Sequence, residues 1–143
     1  MLKRYALLGI FIVMFAAYAN AQNATSPATK RHKVVMQVSD AEPAKWNLVL
    51  NNAKNVQEEL GSNNVDIDIV AFGPGINMLK FESVVNTRVA DATKAGVKIV
   101  ACENSMRNFK LNKADMEPSI NYVPAGVVHI MQRQTEGWAY LRP

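Results

Sequence analysis

The chain has 143 residues, with 16 Lys and Arg against 12 Asp and Glu, two histidines and one cysteine. The longest basic run is Lys30-Arg31-His32-Lys33, too short for a surface that tracks phosphates, so nucleic acid is not an expected partner. A single cysteine excludes an internal disulfide, and His32 and His129 join no HxxxH, CxxC or carboxylate cluster, so neither a metal nor another cofactor is expected.

Lys3 and Arg4 make a positive start, an apolar run extends from Tyr5 to Tyr18, and Ala19-Asn20-Ala21 offers a small-x-small cleavage site. Residues 1–21 therefore read as a signal peptide. The competing reading, a membrane anchor, asks for roughly 20 apolar residues, and no basic stop-transfer cluster follows the shorter run found here. A lipid tether would need a cysteine just after the run, whereas the cysteine is Cys102. The expected mature protein is periplasmic or secreted, with no stable membrane insertion after cleavage. Loss of Lys3 and Arg4 halves its excess positive charge. Residues 22–32 read as a flexible leader, because Ala, Thr, Ser and Asn give it little apolar surface to bury. Asn23-Ala24-Thr25 is a glycosylation acceptor where the host compartment has the enzyme. Residues 33–143 suit one domain.

From Lys33 the pattern alternates. Val34 to Val38 is a β-rich strand, and Ser39 and Asp40 follow as turn or cap residues. A helix from Glu42 to Leu60 begins with Pro43 in its first turn, carries a stripe of Trp46, Val49, Leu50, Ala53, Val56 and Leu60, and closes at Gly61. Val65 to Phe72 alternates at first, then becomes continuously apolar, as a strand does on entering a sheet covered on both faces. Asp66 and Asp68 share a face of its first half and are read as solvent-facing. A second helix spans Phe81 to Ala95 with Phe81, Val84, Val85, Val89 and Ala92 inward and Gly96 as terminator. Val97 to Ala101 is a third strand, ending at Cys102. Asn104 or Ser105 starts a helical segment with Met106 and Phe109, and Asn112 with Asp115 forms a cap signature. Ile120 to Val123 is a fourth strand, Val127 to Gln134 a helix closed by Gly137, and Trp138 to Leu141 a last strand.

This βαβαβαβαβ order predicts an α/β fold, an open five-stranded parallel sheet with helices on both faces. An α+β arrangement with Val127 to Met131 as a strand is the competing reading. Sites in open α/β sheets lie outside the carboxyl ends of the strands, where strand order reverses. Three loops qualify: Ser39-Asp40, Gly73-Pro74-Gly75 and Cys102-Glu103-Asn104-Ser105. In a 2-1-3-4-5 order the first and third flank the switch point. Peptide N–H groups at a helix start favour a Cys102 thiolate, whereas Glu103 opposes it. A lone buried cysteine is also an ordinary small hydrophobe, and both readings stand. Gly73-Pro74-Gly75 is read as a tight turn admitting a close backbone neighbour, since the lysine-ending phosphate-loop pattern and GxGxxG are missing. A serine-hydrolase reading fails for want of GxSxG.

Four segments carry a resemblance: V-A-F-G-P-G at 70 to 75, A-G-V-K-I-V-A-C-E-N-S-M at 95 to 106, V-P-A-G-V-V at 123 to 128 and G-W-A-Y-L-R-P at 137 to 143. Together they make the stretch from Lys33 to Pro143 similar to the DsrE/DsrF-like family, which includes sulfur-relay proteins. The resemblance implies a flavodoxin-like parallel sheet, trimers or hexamers, and in the active relays a cysteine that accepts sulfane sulfur as a persulfide. Cys102 matches that cysteine, and Asn104 and Ser105 match its neighbours, while Glu103 stands where glycine is frequent. Export also departs from relays that serve cytosolic partners. Two functions are thus expected: a sulfane-sulfur carrier or sulfurtransferase-like protein served by a donor or acceptor protein or a small thiol, or an oligomeric binding module whose cysteine packs. Met78, Leu79, Phe81, Trp138 and Tyr140 are the large apolar groups expected at a self-association surface.

Overall fold

The computed structural model describes residues 31–143. The expected signal peptide, residues 22–30 of the leader and the Asn23 acceptor lie outside the described residues. Strands β1 (His32–Val38), β2 (Val65–Ala71), β3 (Lys98–Cys102), β4 (Asn121–Val123) and β5 (Ala139–Leu141) pair in parallel throughout. The first begins at His32, one residue ahead of the expected boundary, and Arg31 is already tied to Asp66 at 2.8 Å. Helices α1 (Pro43–Leu60), α2 (Asn86–Lys94), α3 (Glu103–Asn108) and α4 (Gly126–Thr135) connect them. Residues Val127 to Met131 are helical, which removes the α+β alternative.

Side chains alternate across the sheet because the strand period is two. Val34, Met36 and Val38 with Ile67, Ile69, Ala71, Ile99 and Ala101 face a large core shared by Trp46, Val49, Leu50 and Ala53 of α1, Val89 of α2 and Met106 of α3. Val35, Val70 and Val100 face the other way and meet Ile130 of α4, with Phe72, Val123 and Trp138 at the margin. Three helices thus lie on one face and one on the other.

That allocation sets the strand order, which is β4-β3-β2-β1-β5 rather than 2-1-3-4-5. Right-handed crossovers over one face step the chain toward the same edge each time. With α1, α2 and α3 on one face, β1 leads to β2, β3 and β4 in spatial sequence. Only α4 crosses the opposite face, and it returns the chain to the far side of β1.

The second helix is shorter than expected. Gly73–Leu79 forms 3₁₀ turns and α2 starts only at Asn86. Between them the backbone is engaged elsewhere: Phe81 N–H donates to Asp115 O at 2.9 Å, Glu117 N–H donates to Leu79 O at 2.9 Å, and Lys80 bridges Met116 in antiparallel fashion. Groups committed to a neighbouring segment cannot close helical turns. As a result Phe81 and Val84 do not face inward but are 65% and 79% exposed, whereas Met78 and Leu79, expected at an interface, are fully buried.

Gly73-Pro74-Gly75 is the tight turn expected. Gly75 N–H donates to Ser39 O at 3.2 Å and to Phe72 O at 3.1 Å, and a Cβ on Gly75 would meet Val38 O at 2.3 Å. The clash is with backbone, which cannot move aside without parting β1 from β2. Gly75→Ala is therefore expected to lower unfolding stability by about 3 kcal/mol. Gly96→Ala, with φ +89 and open space around it, is expected to cost about 1 kcal/mol. Urea midpoints of the two variants check the ranking.

Candidate functional site

Cys102 closes β3 and stands as N-cap of α3. Its Cα pairs with that of Val123, near the end of β4. From these neighbouring strands the chain leaves toward opposite faces, into α3 on one side and α4 on the other, so the crevice that hosts sites in open α/β sheets lies between β3 and β4. Asn104 N–H donates to Pro124 O at 3.2 Å and holds the two loops together.

Helix α4 begins against the cysteine. A Cβ on Gly126 would approach Cys102 Cβ at 3.2 Å, Val70 Cγ1 at 3.2 Å and Phe72 Cβ at 3.3 Å. Glycine here lets a helix start, with its unpaired N–H groups, lie directly on the cysteine. Cys102 is 4% exposed. Burial pushes its thiol up, but hydrogen bonds from the Gly126 amide, the Ser105 hydroxyl, and the Ser105 and Asn104 amides together outweigh it. The thiol sits below its ordinary value as a result, which favours the nucleophilic thiolate.

The expected site residues separate into two groups. Ser105 is buried, and its Oγ accepts from Gly73 N–H at 2.7 Å, which leaves the hydroxyl proton for the sulfur. Gly73 thereby touches the cysteine loop, while Pro74 and Gly75 lead away toward β1. Asn104 contributes its backbone, and its side chain accepts from Arg107. Glu103 turns to Lys113, 3.8 Å away, and the Tyr122 phenol is raised by burial and, secondarily, by the Glu103 carboxylate. Ser39 and Asp40 do not reach the cysteine, because β2 lies between β1 and β3. Ser39 Oγ accepts from Gln37 at 3.1 Å, and Asp40 O accepts from Trp46 Nε1 at 2.8 Å, which anchors α1 instead.

Two features escape the sequence reading. Gly126 was visible only as part of V-P-A-G-V-V, with nothing local to mark it as a donor. Asp68 is not solvent-facing: it is 2% exposed, and its Oδ2 accepts from Arg133 Nε at 2.7 Å and lies 2.8 Å from His129 Nε2. Its burial has a physical cause, since α4 covers that half of β2 and brings two basic side chains to the carboxylate. The signal was present as His129 and Arg133 at i and i+4 beside Ile130. Among the described residues no group of three or more His, Cys, Asp and Glu could hold a metal, and no helix is long and apolar enough to cross a membrane.

The model of the DsrE/DsrF-like family matches residues 11–143. Among solved structures, the protein of unknown function MTH1491 from Methanobacterium thermoautotrophicum is 34% identical, with a TM-score of 0.75 over 78% of this chain and 99% of that one. BT1422 of Bacteroides thetaiotaomicron, a conserved protein of unknown function, is 17% identical with a TM-score of 0.64 over 85% of this chain and 100% of its own. The ychN protein from E. coli is 13% identical with a TM-score of 0.61 over 78% and 99%. These two likenesses speak for the fold. No curated protein matches the chain.

Because only the thiolate alkylates, a lowered thiol brings the reaction toward its plateau at a lower pH than in the unfolded chain. Ser105→Ala removes a donor to the sulfur and is expected to cut alkylation at pH 7 about fivefold relative to the high-pH limit, the worth of one hydrogen bond. Iodoacetamide kinetics on native protein across pH 5 to 10, followed by intact mass, measure both profiles.

Proposed function

The chain belongs to the DsrE/DsrF-like family, and on that premise we propose that it is a sulfane-sulfur carrier, with Cys102 as the accepting residue. The observation that carries this reading is a buried cysteine at the meeting of two helix starts, with Gly126 packed against it and its thiol held below the ordinary value by nearby peptide amides and the Ser105 hydroxyl. A packing cysteine has no use for them. A thiolate, and after it a persulfide anion, does.

The chemistry follows from a thiolate and a sulfane donor such as thiosulfate. Cys102 Sγ attacks the outer sulfur, a new S–S bond forms, the old one breaks, and sulfite leaves with the electron pair. The product is a cysteine persulfide whose terminal sulfur carries the negative charge. An acceptor thiolate then attacks that sulfur, and Cys102 thiolate leaves. With one cysteine in the chain, the acceptor is a small thiol, a partner protein or another subunit.

This reading places the carrier outside the cytosol, on the strength of Lys3, Arg4 and the apolar run that follows. It also includes assembly into a trimer or hexamer. Phe81, Val84, Val127, Val128 and Met131 support that part as exposed large apolar groups, a load of apolar surface that self-association would cover. Light scattering at micromolar concentration is expected to return a multiple of the monomer mass, and a monomer mass would remove assembly from the reading.

Protein incubated with thiosulfate or polysulfide is expected to gain about 32 mass units that a thiol reductant removes, and Cys102→Ser to abolish the gain. Intact-mass measurement decides. An unchanged mass, with a thiol that alkylates only after denaturation, would leave an oligomeric binding module with a structural cysteine as the better account.

A further inference from the structure

Three polar side chains are buried among the described residues: Asp68, Ser105 and Glu117. Ser105 belongs to the sulfur's surroundings. Glu117 accepts from Asn86 at 2.6 Å and from Ser119 Oγ at 3.0 Å, and so completes a loop on the large-core face. Asp68 differs from both, since its partners belong to another layer. His129 and Arg133 are consecutive-turn residues of α4, and one carboxylate oxygen on β2 meets both. Arg133 is held further by Glu136 Oε2 at 2.8 Å and lies 4.4 Å from the centre of the Trp138 ring. Lys33 of β1 approaches the same ring at 5.9 Å.

The rest of the contact between α4 and the sheet is thin and apolar, built on Val35, Val70, Val100 and Ile130. Apolar packing is non-directional and does not by itself choose where along its axis a helix stops. Directional bonds to a charged group do choose, and they weaken steeply once distance or angle departs from the optimum. His129 lies in the first turn of α4, and its N–H donates to Ala125 O at 3.1 Å. Gly126 stands three residues earlier, about 4.5 Å along the axis at 1.5 Å per residue. Whatever fixes His129 therefore fixes the Gly126 amide, and Gly126 is the helix start pressed on Cys102.

We propose that Asp68 is a positioning residue for the cysteine: through His129 and Arg133 it sets the axial position of α4, so that the Gly126 N–H meets Cys102 Sγ. The inference deepens the reading of Cys102 as a nucleophile. It concerns the thiol before any sulfur is loaded, so it stands or falls apart from persulfide formation.

Position and charge predict opposite signs. Taking a negative charge away from Asp68 would, through space alone, ease ionisation of the thiol. Loss of the helix position would hinder it. The readout is the ratio of the Cys102 alkylation rate at pH 7 to its high-pH limit, which cancels changes in access. Asp68→Asn is expected to lower this ratio about fivefold, as loss of one donor to the sulfur would, in protein whose far-UV circular dichroism matches the parent. A ratio that rises or stays constant overturns the proposal. Should Asp68→Asn not fold, His129→Gln and His129→Leu decide, since both leave an uncharged side chain and only the amide can still donate to Asp68. The Gln variant is expected near the parent and the Leu variant severalfold lower. Equal ratios in the two overturn the proposal.

Discussion

A right-handed crossover steps toward one edge of a sheet when its helix lies on one face and toward the other edge when it lies on the opposite face. In this protein that rule meets an uneven division of helices. Trp46, Val49 and Leu50 of α1, Val89 of α2 and Met106 of α3 all enter one core, so three crossovers march in one direction and the fourth has to return. The return puts the start of α4 beside the end of β3. The contact of Gly126 with the cysteine depends on that juxtaposition.

The juxtaposition sets two opposed effects against each other at one atom. Burial disfavours an anion, and a sulfur this enclosed would be a neutral thiol if nothing answered it. The answer comes from peptide amides at the two helix starts, together with a hydroxyl whose own acceptor lobe is filled by Gly73 N–H. The donors win, and the thiol falls below its ordinary value. Neither helix start would suffice as a description: α3 supplies donors adjacent in sequence, and α4 supplies the one from Gly126, more than twenty positions away in the chain.

The sequence displays the local half of this arrangement well. Glycines 61, 96 and 137 mark the ends of helical stripes, and in the structure each has a positive φ, between 82° and 89°. The strand at Val65 and the close approach at Gly75 are legible for the same reason, since alternation and a Gly-Pro-Gly turn are local statements. The other half is relational. Phe81 and Val84 have helical spacing, yet the backbone at Lys80 and Phe81 is claimed by the segment around Asp115 to Glu117. Strand order depends on which face each amphipathic helix takes, and a stripe does not say which. Asp68 looks wet until a helix 60 residues later in the chain, through His129 and Arg133, covers it. Cys102 could be placed at a strand end from its neighbours alone, whereas Gly126 beside it could not.

The two cores also differ in depth. One face buries a continuous cluster drawn from three helices, while the other rests on four buried side chains and a ten-residue helix. Layers with few apolar contacts open at lower free energy than the rest of a domain, as separate cooperative units. Hydrogen-exchange protection is accordingly expected to be graded by layer, with the amides of α4 exchanging before those of β2 and β3. An opening that exposed those amides would also lift Gly126 from the cysteine, so the lifetime of the closed layer would set when the sulfur meets solvent.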